Sequence, residues 1–149
     1  MENYANVMGV QFPKITLDRT VDILSNVIDQ DSSELFHVIT VNPEITIACQ
    51  KDKSLRSIID EAGLITADGI GIVMVSRLRG GNLPERVTGY DTLLRLLDSG
   101  NKKKWSFYFL GADPNTLLHL ELPMQRDGFI NINLSLMLKL QLELAEVLM

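Results

Sequence analysis

The chain has 149 residues, a formal net charge of −5 at pH 7 and 46% hydrophobic residues, which is ordinary usage for one folded domain. The acidic balance argues against a general nucleic-acid-binding protein, because such proteins gain affinity by neutralising phosphates with Lys and Arg. One cysteine excludes an internal disulfide, and neither a secretion signal nor an apolar run of membrane-spanning length occurs, so we expect a cytoplasmic protein.

The first third of the chain predicts short strands alternating with helices. A strand pair is expected over residues 7–15, followed by a helix that Thr16 caps and whose apolar residues recur at helical spacing. Residues 36–41 predict a buried strand. Asn42 and Pro43 then start a helix, because Asn is a favourable cap and Pro at the first position lacks only a donor that would have no helical partner.

The middle of the chain continues this alternation. A helix over residues 53–61 is expected to stop at Gly63, and a short strand over 64–67 to follow it. The next helix is expected over residues 70–78, and the glycine pair Gly80 and Gly81 that follows is expected to end it.

The third repeat of the pattern comprises a helix over residues 91–97 and a strand over residues 105–110, closed by Gly111. Lys102 to Lys104 between them is interpreted as a solvated turn or as a lipid or phosphate contact. Three alternations predict an α/β domain with a largely parallel sheet and helices on both faces, Rossmann-like and incomplete.

The tail over residues 117–149 departs from this pattern. Leu or Ile stands at every second position from 130 to 144, longer than most strands, whereas the leucine-rich composition favours a helix. A shifted reading frame or a truncated gene would explain the conflict as well as a structure does. We therefore expect a domain over residues 1–116 and leave the tail unassigned.

Candidate site residues follow the predicted strands. Asn42, Asp68 and Gly111 all stand where ligands bind in parallel sheets, at the carboxyl ends of strands. Asn42 and Asp68 each have a simpler interpretation as a helix cap. Cys49 falls in an apolar helical pattern and is expected to be a buried structural thiol. The two histidines lie far apart without Cys partners, which argues against a metal site.

Two motifs carry more chemistry. Residues 68–71 (D-G-I-G) place a carboxylate before glycines that allow a ligand to approach closely, although Met74 breaks the dinucleotide-binding fingerprint. Residues 83–91 (L-P-E-R-V-T-G-Y-D) include Arg86, whose planar fork suits a diphosphate. The alternatives are a surface salt bridge of little energy for Arg86 and a helix cap for Asp91.

Taken together, these motifs resemble the WecG/TagA/CpsF glycosyltransferase family over residues 7–114. The matching words, in order, are T-x-N-x-E at 40–44, a run ending Q-K-D at 50–52, A-D-G-x-G at 67–71, L-P-E-R-V-x-G-x-D at 83–91 and F-L-G-A at 109–112. The resemblance implies an inverting, metal-independent enzyme without a cofactor, peripheral at the inner face of the plasma membrane. It would move N-acetylmannosamine or a related sugar from a UDP donor to undecaprenyl-diphosphate-linked N-acetylglucosamine, for teichoic acid, common antigen or capsule.

The same resemblance assigns residue roles. Asp68 would be the catalytic base, Arg86 would face the diphosphate, and the strand-end pair Thr40 and Asn42 would orient the sugar. Substrate binding is expected of six residues in all: Thr40, Asn42, Gly69, Arg86, Asp91 and Gly111.

The chain also departs from the family. Members are longer and carry a G-x-P-x-Q-E-x-W-like block in a second half that helps to form the UDP pocket and touches the membrane, and no such block follows Gly111. A catalytically silent remnant that binds sugar nucleotide is therefore one alternative. A nucleotide-dependent oxidoreductase and an interaction protein that pairs through its tail are two others, and family self-association suggests a homo-oligomer.

Overall fold

The computed structural model describes residues 3–30 and 34–107 of the chain. The chain divides into two compact units, Met1–Leu96 and Leu97–Met149. The predicted α/β class is confirmed as a mixed fold, with β1 Tyr4–Val7, β2 Val10–Pro13, α1 Leu17–Asp29, β3 Val38–Val41, α2 Pro43–Ala48, α3 Lys53–Asp60, β4 Leu64–Ala67, α4 Ile70–Leu78 and α5 Gly89–Lys103. The predicted boundary after residue 116, the tail and the second half of the predicted third strand (residues 108–110) lie outside the described residues, so the larger parallel sheet stays a prediction.

The predicted strand pair near the N-terminus is confirmed as an antiparallel hairpin of β1 and β2, which begins three residues earlier than expected. Met8 and Gly9 form its turn, both with positive φ (51° and 85°), as a turn that follows the twist of two strands requires. Asn6 supports the turn, because its Oδ1 accepts a hydrogen bond from Gly9 N at 2.9 Å.

The two central strands, β3 and β4, pair in parallel, with Thr40 opposite Thr66. Side chains alternate between the two faces of a strand. Val41, Ile65 and Ala67 therefore lie on one face, which belongs to the buried core together with β1, β2 and α4. The opposite face carries the two threonines. Parallel pairing of the two strands is the part of the predicted sheet that the structure confirms.

Three helices start in the same way. In each one a capping residue comes first, and a buried threonine four positions later donates its hydroxyl to the carbonyl oxygen of that cap. The pairs are Thr20 to Thr16 at 2.9 Å in α1, Thr46 to Asn42 at 2.8 Å in α2 and Thr92 to Thr88 at 2.7 Å in α5. Each of these three hydroxyls therefore has a hydrogen-bond partner although the residue is buried, so none of them is an unpaired buried polar group.

The helix predicted over residues 91–97 is longer at both ends. It begins at Gly89, because Thr88 is the cap: its Oγ1 accepts from Asp91 N at 3.0 Å. It continues to Lys103, and Lys102 Nζ donates to Asp98 Oδ2 at 2.7 Å one turn earlier. Basic side chains near the last turn are favoured by the helix dipole. The interpretation of this basic run as a turn is therefore wrong for Lys102 and Lys103.

Two predicted details have different outcomes. Helix α3 ends before Gly63 as expected, but the φ of this glycine lies outside the left-handed region. A Cβ there would lie 2.7 Å from Phe36 Cε2, so ring packing and not a helix stop requires the glycine. The prediction for Cys49 is confirmed, because the thiol is buried and this burial raises its pKa, which nearby Arg56 only partly opposes.

The cap of α3 gives a test of the local rules. Asp52 Oδ1 accepts from Ser54 N at 2.9 Å and Leu55 N at 3.0 Å, so Asp52→Ala should lower the free energy of unfolding by about 1 kcal/mol. Asp60→Ala is the matched control, since it removes only an exposed ion pair with Arg56. It should lower the free energy of unfolding by roughly 0.3 kcal/mol. Urea unfolding measures both, and equal losses would contradict the assignment.

Candidate functional site

Asp68 lies directly after β4, at the carboxyl end of the parallel pair. Its backbone N–H donates to Val41 O at 3.0 Å and to Thr66 O at 3.1 Å, which fixes it beside the end of β3. The side chain is half-buried. Among the described residues, its carboxylate accepts one hydrogen bond, from Gly89 N at the long distance of 3.5 Å. Most of the accepting capacity of this carboxylate is therefore left for other partners.

Glycines bring the Asp68 turn against the start of α2. Gly69 has a φ of 132°, and a Cβ on it would lie 3.1 Å from Pro43 Cδ. A Cβ on Gly71 would lie 3.3 Å from Pro43 Cγ. The cap of α4 is Gly69 and no described side chain caps this helix. The alternative that Asp68 is only a helix cap is therefore wrong.

Asn42 and Thr40 stand on the neighbouring strand end. Asn42 caps α2, because its Oδ1 accepts from Ile45 N at 2.8 Å, which confirms the simple interpretation of this residue. The cap uses one acceptor site of the side-chain oxygen, and the amide nitrogen is the donor that Asn42 offers to a ligand. Thr40 is half-buried, and its Cγ2 would lie 3.1 Å from a Cβ placed on Gly89, which explains the glycine at that position.

The loop before α5 is held by the elements around it. Val87 N donates to Ala67 O at 2.9 Å, so the loop extends the hydrogen bonding of β4 next to Asp68. Arg77 Nη2 donates to Pro84 O at 3.0 Å. These bonds fix the backbone on both sides of Arg86.

Glu85 has a role that the sequence did not reveal. Its Oε1 accepts from Leu17 N at 2.6 Å, and so binds the loop to the first turn of α1. A carboxylate is favoured there by the positive end of the helix. Glu85 and the adjacent Arg86 therefore have separate partners, Leu17 N and Asp91.

Arg86 is an exposed residue of this loop. Its side chain is 52% exposed and its Nη2 lies 3.8 Å from Asp91 Oδ2, a surface pair that contributes little to stability. Asp91 also accepts from the Thr88 hydroxyl at 2.7 Å and so supports the cap without being it. The alternative of a weak surface salt bridge is confirmed, and about half of the Arg86 side chain remains exposed on a fixed loop.

A cavity of about 540 Å³ adjoins these residues on the threonine face of the parallel pair. Thr40 and Gly89 belong to its walls, together with aliphatic side chains of α1 and α5 such as Leu24 and Leu93. Thr66 also lines it, and its Oγ1 is buried with no hydrogen-bond partner among the described residues. The sequence reasoning missed Thr66, and the available signal was a threonine inside an otherwise apolar strand.

The predicted site residues thus fall into two groups. Thr40, Asn42, Asp68 and Gly69 meet at the ends of β3 and β4, and Arg86 and Asp91 lie on the loop and helix that follow. Gly111 lies outside the described residues. Within residues 3–30 and 34–107, no helix is long and apolar enough to cross a membrane, and no group of three or more His, Cys, Asp or Glu is placed to hold a metal ion.

The sequence is similar to a known protein family and to individual proteins of known name. The sequence model of the Glycosyl transferase WecG/TagA/CpsF family matches residues 5–133, a longer stretch than the motifs alone suggested. The relatives below share one name, N-acetylglucosaminyldiphosphoundecaprenol N-acetyl-beta-D-mannosaminyltransferase.

The protein from Bacillus subtilis (strain 168) is 40% identical over 80 residues, 54% of this chain and 31% of the relative. The protein from Bacillus spizizenii (strain ATCC 23059 / NRRL B-14472 / W23) is 34% identical over 97 residues, 65% of this chain and 38% of the relative. The protein from Staphylococcus aureus (strain NCTC 8325 / PS 47) is 25% identical over 107 residues, 72% of this chain and 42% of the relative. The matched stretches therefore span less than half of each relative.

Gly69, beside Asp68, gives a second prediction. Gly69→Ala should cost about 3 kcal/mol of unfolding free energy, because its φ of 132° is one that side chains rarely adopt and Pro43 stands in the way. Gly80→Ala is the control: its φ is also positive, at 75°, but a Cβ there meets nothing within 4 Å. We expect about 1 kcal/mol for the control in urea unfolding. A larger loss for Gly80 than for Gly69 would contradict the close approach to Pro43.

Proposed function

Because the chain belongs to the WecG/TagA/CpsF family of glycosyl transferases, we propose that it takes part in glycosyl transfer to a lipid-linked sugar. The proposed donor is UDP-N-acetylmannosamine or a related UDP-sugar, and the proposed acceptor is undecaprenyl-diphosphate-linked N-acetylglucosamine. The names of the relatives supply the transferred sugar and the acceptor, while the UDP leaving group is part of our proposal. The observation that carries the proposal is the under-bonded carboxylate of Asp68 at the ends of the parallel strands.

Asp68 is assigned the role of general base. In an inverting transfer the acceptor hydroxyl attacks the anomeric carbon while the bond from that carbon to the UDP oxygen breaks. The carboxylate takes the hydroxyl proton as this oxygen attacks, so charge moves from the base to the departing diphosphate. A base needs a fixed position and unused lone pairs, and the two backbone bonds of Asp68 and its one long side-chain contact provide both.

The other site residues are assigned to binding. Arg86 would receive the diphosphate and stabilise the charge that grows on the leaving UDP, since a guanidinium forms two parallel hydrogen bonds to phosphate oxygens. Thr40 and the amide nitrogen of Asn42 would orient the sugar. Gly69 would permit its close approach, and Asp91 would hold Arg86 through the 3.8 Å contact. Gly111 keeps its predicted binding role.

The proposal also includes a wider setting. The parallel pair β3–β4 would be part of a larger Rossmann-like sheet with helices on both faces. The protein would act as a peripheral protein at the inner face of the plasma membrane, where a lipid-linked acceptor is available, and as a homo-oligomer. Its product would serve the synthesis of a cell-surface polysaccharide such as teichoic acid.

Replacement of the proposed base tests the reaction. UDP release from UDP-N-acetylmannosamine is measured with a short-chain polyprenyl-diphosphate-linked N-acetylglucosamine. Asp68→Asn should lower acceptor-dependent release by about 10²–10⁴-fold, the usual contribution of a positioned base. Asp60→Asn, an exposed carboxylate on α3, should leave the rate unchanged.

The outcomes separate the candidates. A nearly unchanged rate for Asp68→Asn would exclude the base assignment. If neither protein releases UDP but UDP raises the melting temperature, the chain binds sugar nucleotide without turnover, which is the silent alternative. A rise with NAD or NADP in place of UDP would favour the oxidoreductase.

Arg86 allows binding to be separated from stability. Arg86→Ala should leave the free energy of unfolding within about 0.5 kcal/mol, because its only described ion pair is exposed. It should nevertheless weaken UDP binding roughly tenfold or more in calorimetric titration, since a charge-assisted bidentate contact is lost. Arg95→Ala, which removes another exposed pair with Asp18, is the control and should alter neither quantity. Equal UDP affinity in all three proteins would remove Arg86 from the site.

A further inference from the structure

We propose that the cavity beside Asp68 binds the N-acyl group of the amino sugar, and that the Thr66 hydroxyl donates a hydrogen bond to its amide carbonyl oxygen. This inference rests on the proposed function and specifies how one substituent of the sugar is recognised. None of the sequence motifs includes Thr66.

The first observation is the state of the Thr66 side chain. The residue is 2% exposed, and its Oγ1 has no hydrogen-bond partner among the described residues. Buried hydroxyls in folded proteins are nearly always paired, because an unpaired one loses its bonds to water without replacement. The other buried threonines that line helix starts do have partners, as Thr20, Thr46 and Thr92 show. Thr66 therefore offers a donor that none of the described residues uses.

The second observation is where this donor lies. Thr66 is paired in register with Thr40, so both project from the same face of β3 and β4. Asp68 follows Thr66 by two residues, and Asn42 follows Thr40 by two residues. Gly89 belongs to both places: it lines the cavity, and its N–H points to Asp68 Oδ2. A sugar held at Asp68 would therefore have a substituent within reach of the cavity wall.

The walls of the cavity select the chemistry of that substituent. They are mainly aliphatic, with Leu24 and Val27 from α1 and Leu93 and Leu96 from α5. Glu34 is the single ionisable residue among the described lining residues. A diphosphate would find no cation there and would lose its hydration, which is costly in apolar surroundings. A neutral amide fits, because its carbonyl accepts from the hydroxyl and its methyl group contacts hydrocarbon.

The size of the cavity adds a consequence. About 540 Å³ is within the range of small-molecule sites and more than one acetyl group fills. Longer N-acyl chains should therefore be accepted, whereas a sugar with a plain hydroxyl in place of the amide should bind less well.

The test compares three ligands and three proteins. Calorimetric titrations use UDP-N-acetylmannosamine, its N-butanoyl analogue and UDP-mannose. The native chain should bind both acylated ligands at least about 10-fold more tightly than UDP-mannose, as loss of a paired polar contact usually demands. Thr66→Val retains the shape of the side chain but not the donor, so this preference should fall to about 2-fold or less, while the melting temperature stays equal or rises.

Thr92→Val is the matched control at the same cavity. Its hydroxyl already serves the start of α5, so this variant should melt at a lower temperature and keep the preference for acylated ligands. An equal preference in the native chain and Thr66→Val would overturn the inference, because the hydroxyl would then be satisfied by water alone.

Failure of the inference and failure of the proposed function can be told apart. If UDP binds but the three sugars bind equally, the inference is wrong and the proposed function stands. If no uridine nucleotide binds, the proposed function is wrong for this chain. Methyl N-acetylmannosaminide is then titrated against the NMR signal of the Thr66 methyl group: a shift that Thr92→Val retains supports the cavity, and no shift overturns the inference too.

Discussion

The parallel pairing of β3 and β4 is the constraint on which the rest of the site depends. The backbone bond from Asp68 N to Val41 O continues this pairing beyond the last strand residues and sets Asp68 beside Asn42. Val87 N then binds Ala67 O, so the loop with Arg86 is attached to the same strand end. A shift of one residue in register would turn each side chain to the opposite face and would separate these groups. Site and sheet are therefore specified by the same hydrogen bonds.

Local rules in the sequence predicted the elements whose causes are local. Strand β4 and helix α4 lie where they were expected, because an apolar run and a pair of glycines mark their ends without help from distant residues. Helix α5 begins two residues before the predicted start at residue 91, because Thr88 is its cap although it also lies within the L-P-E-R-V-x-G-x-D motif. A residue that belongs to a functional motif can also determine where a helix begins.

Contacts between distant residues set the limit of that reasoning. The position of Asp68 at the edge of the sheet could be predicted, since a polar group directly after an apolar strand stands where ligands bind in parallel sheets. The contact of Glu85 with Leu17 joins residues far apart in sequence, and no pattern near either residue indicates it. Thr66 became a candidate only through its register with Thr40 and the cavity beyond them. Such features require the assembled fold.

The distribution of unfavourable features supports the site more strongly than any single motif does. Helices α1, α2, α3 and α5 begin with side-chain caps, whereas α4, which begins at the site, has Gly69 and no described side-chain cap. Gly69 also has an unusual φ, a conformation that costs other residues about 1–3 kcal/mol. Thr66 adds a buried hydroxyl without a partner among the described residues, and an unsatisfied buried hydroxyl costs about as much, roughly 1–3 kcal/mol. Proteins tend to break local rules at functional sites. The start of α4 and the Thr66 hydroxyl both lie at the end of β4, and a ligand site at that strand end would account for both departures.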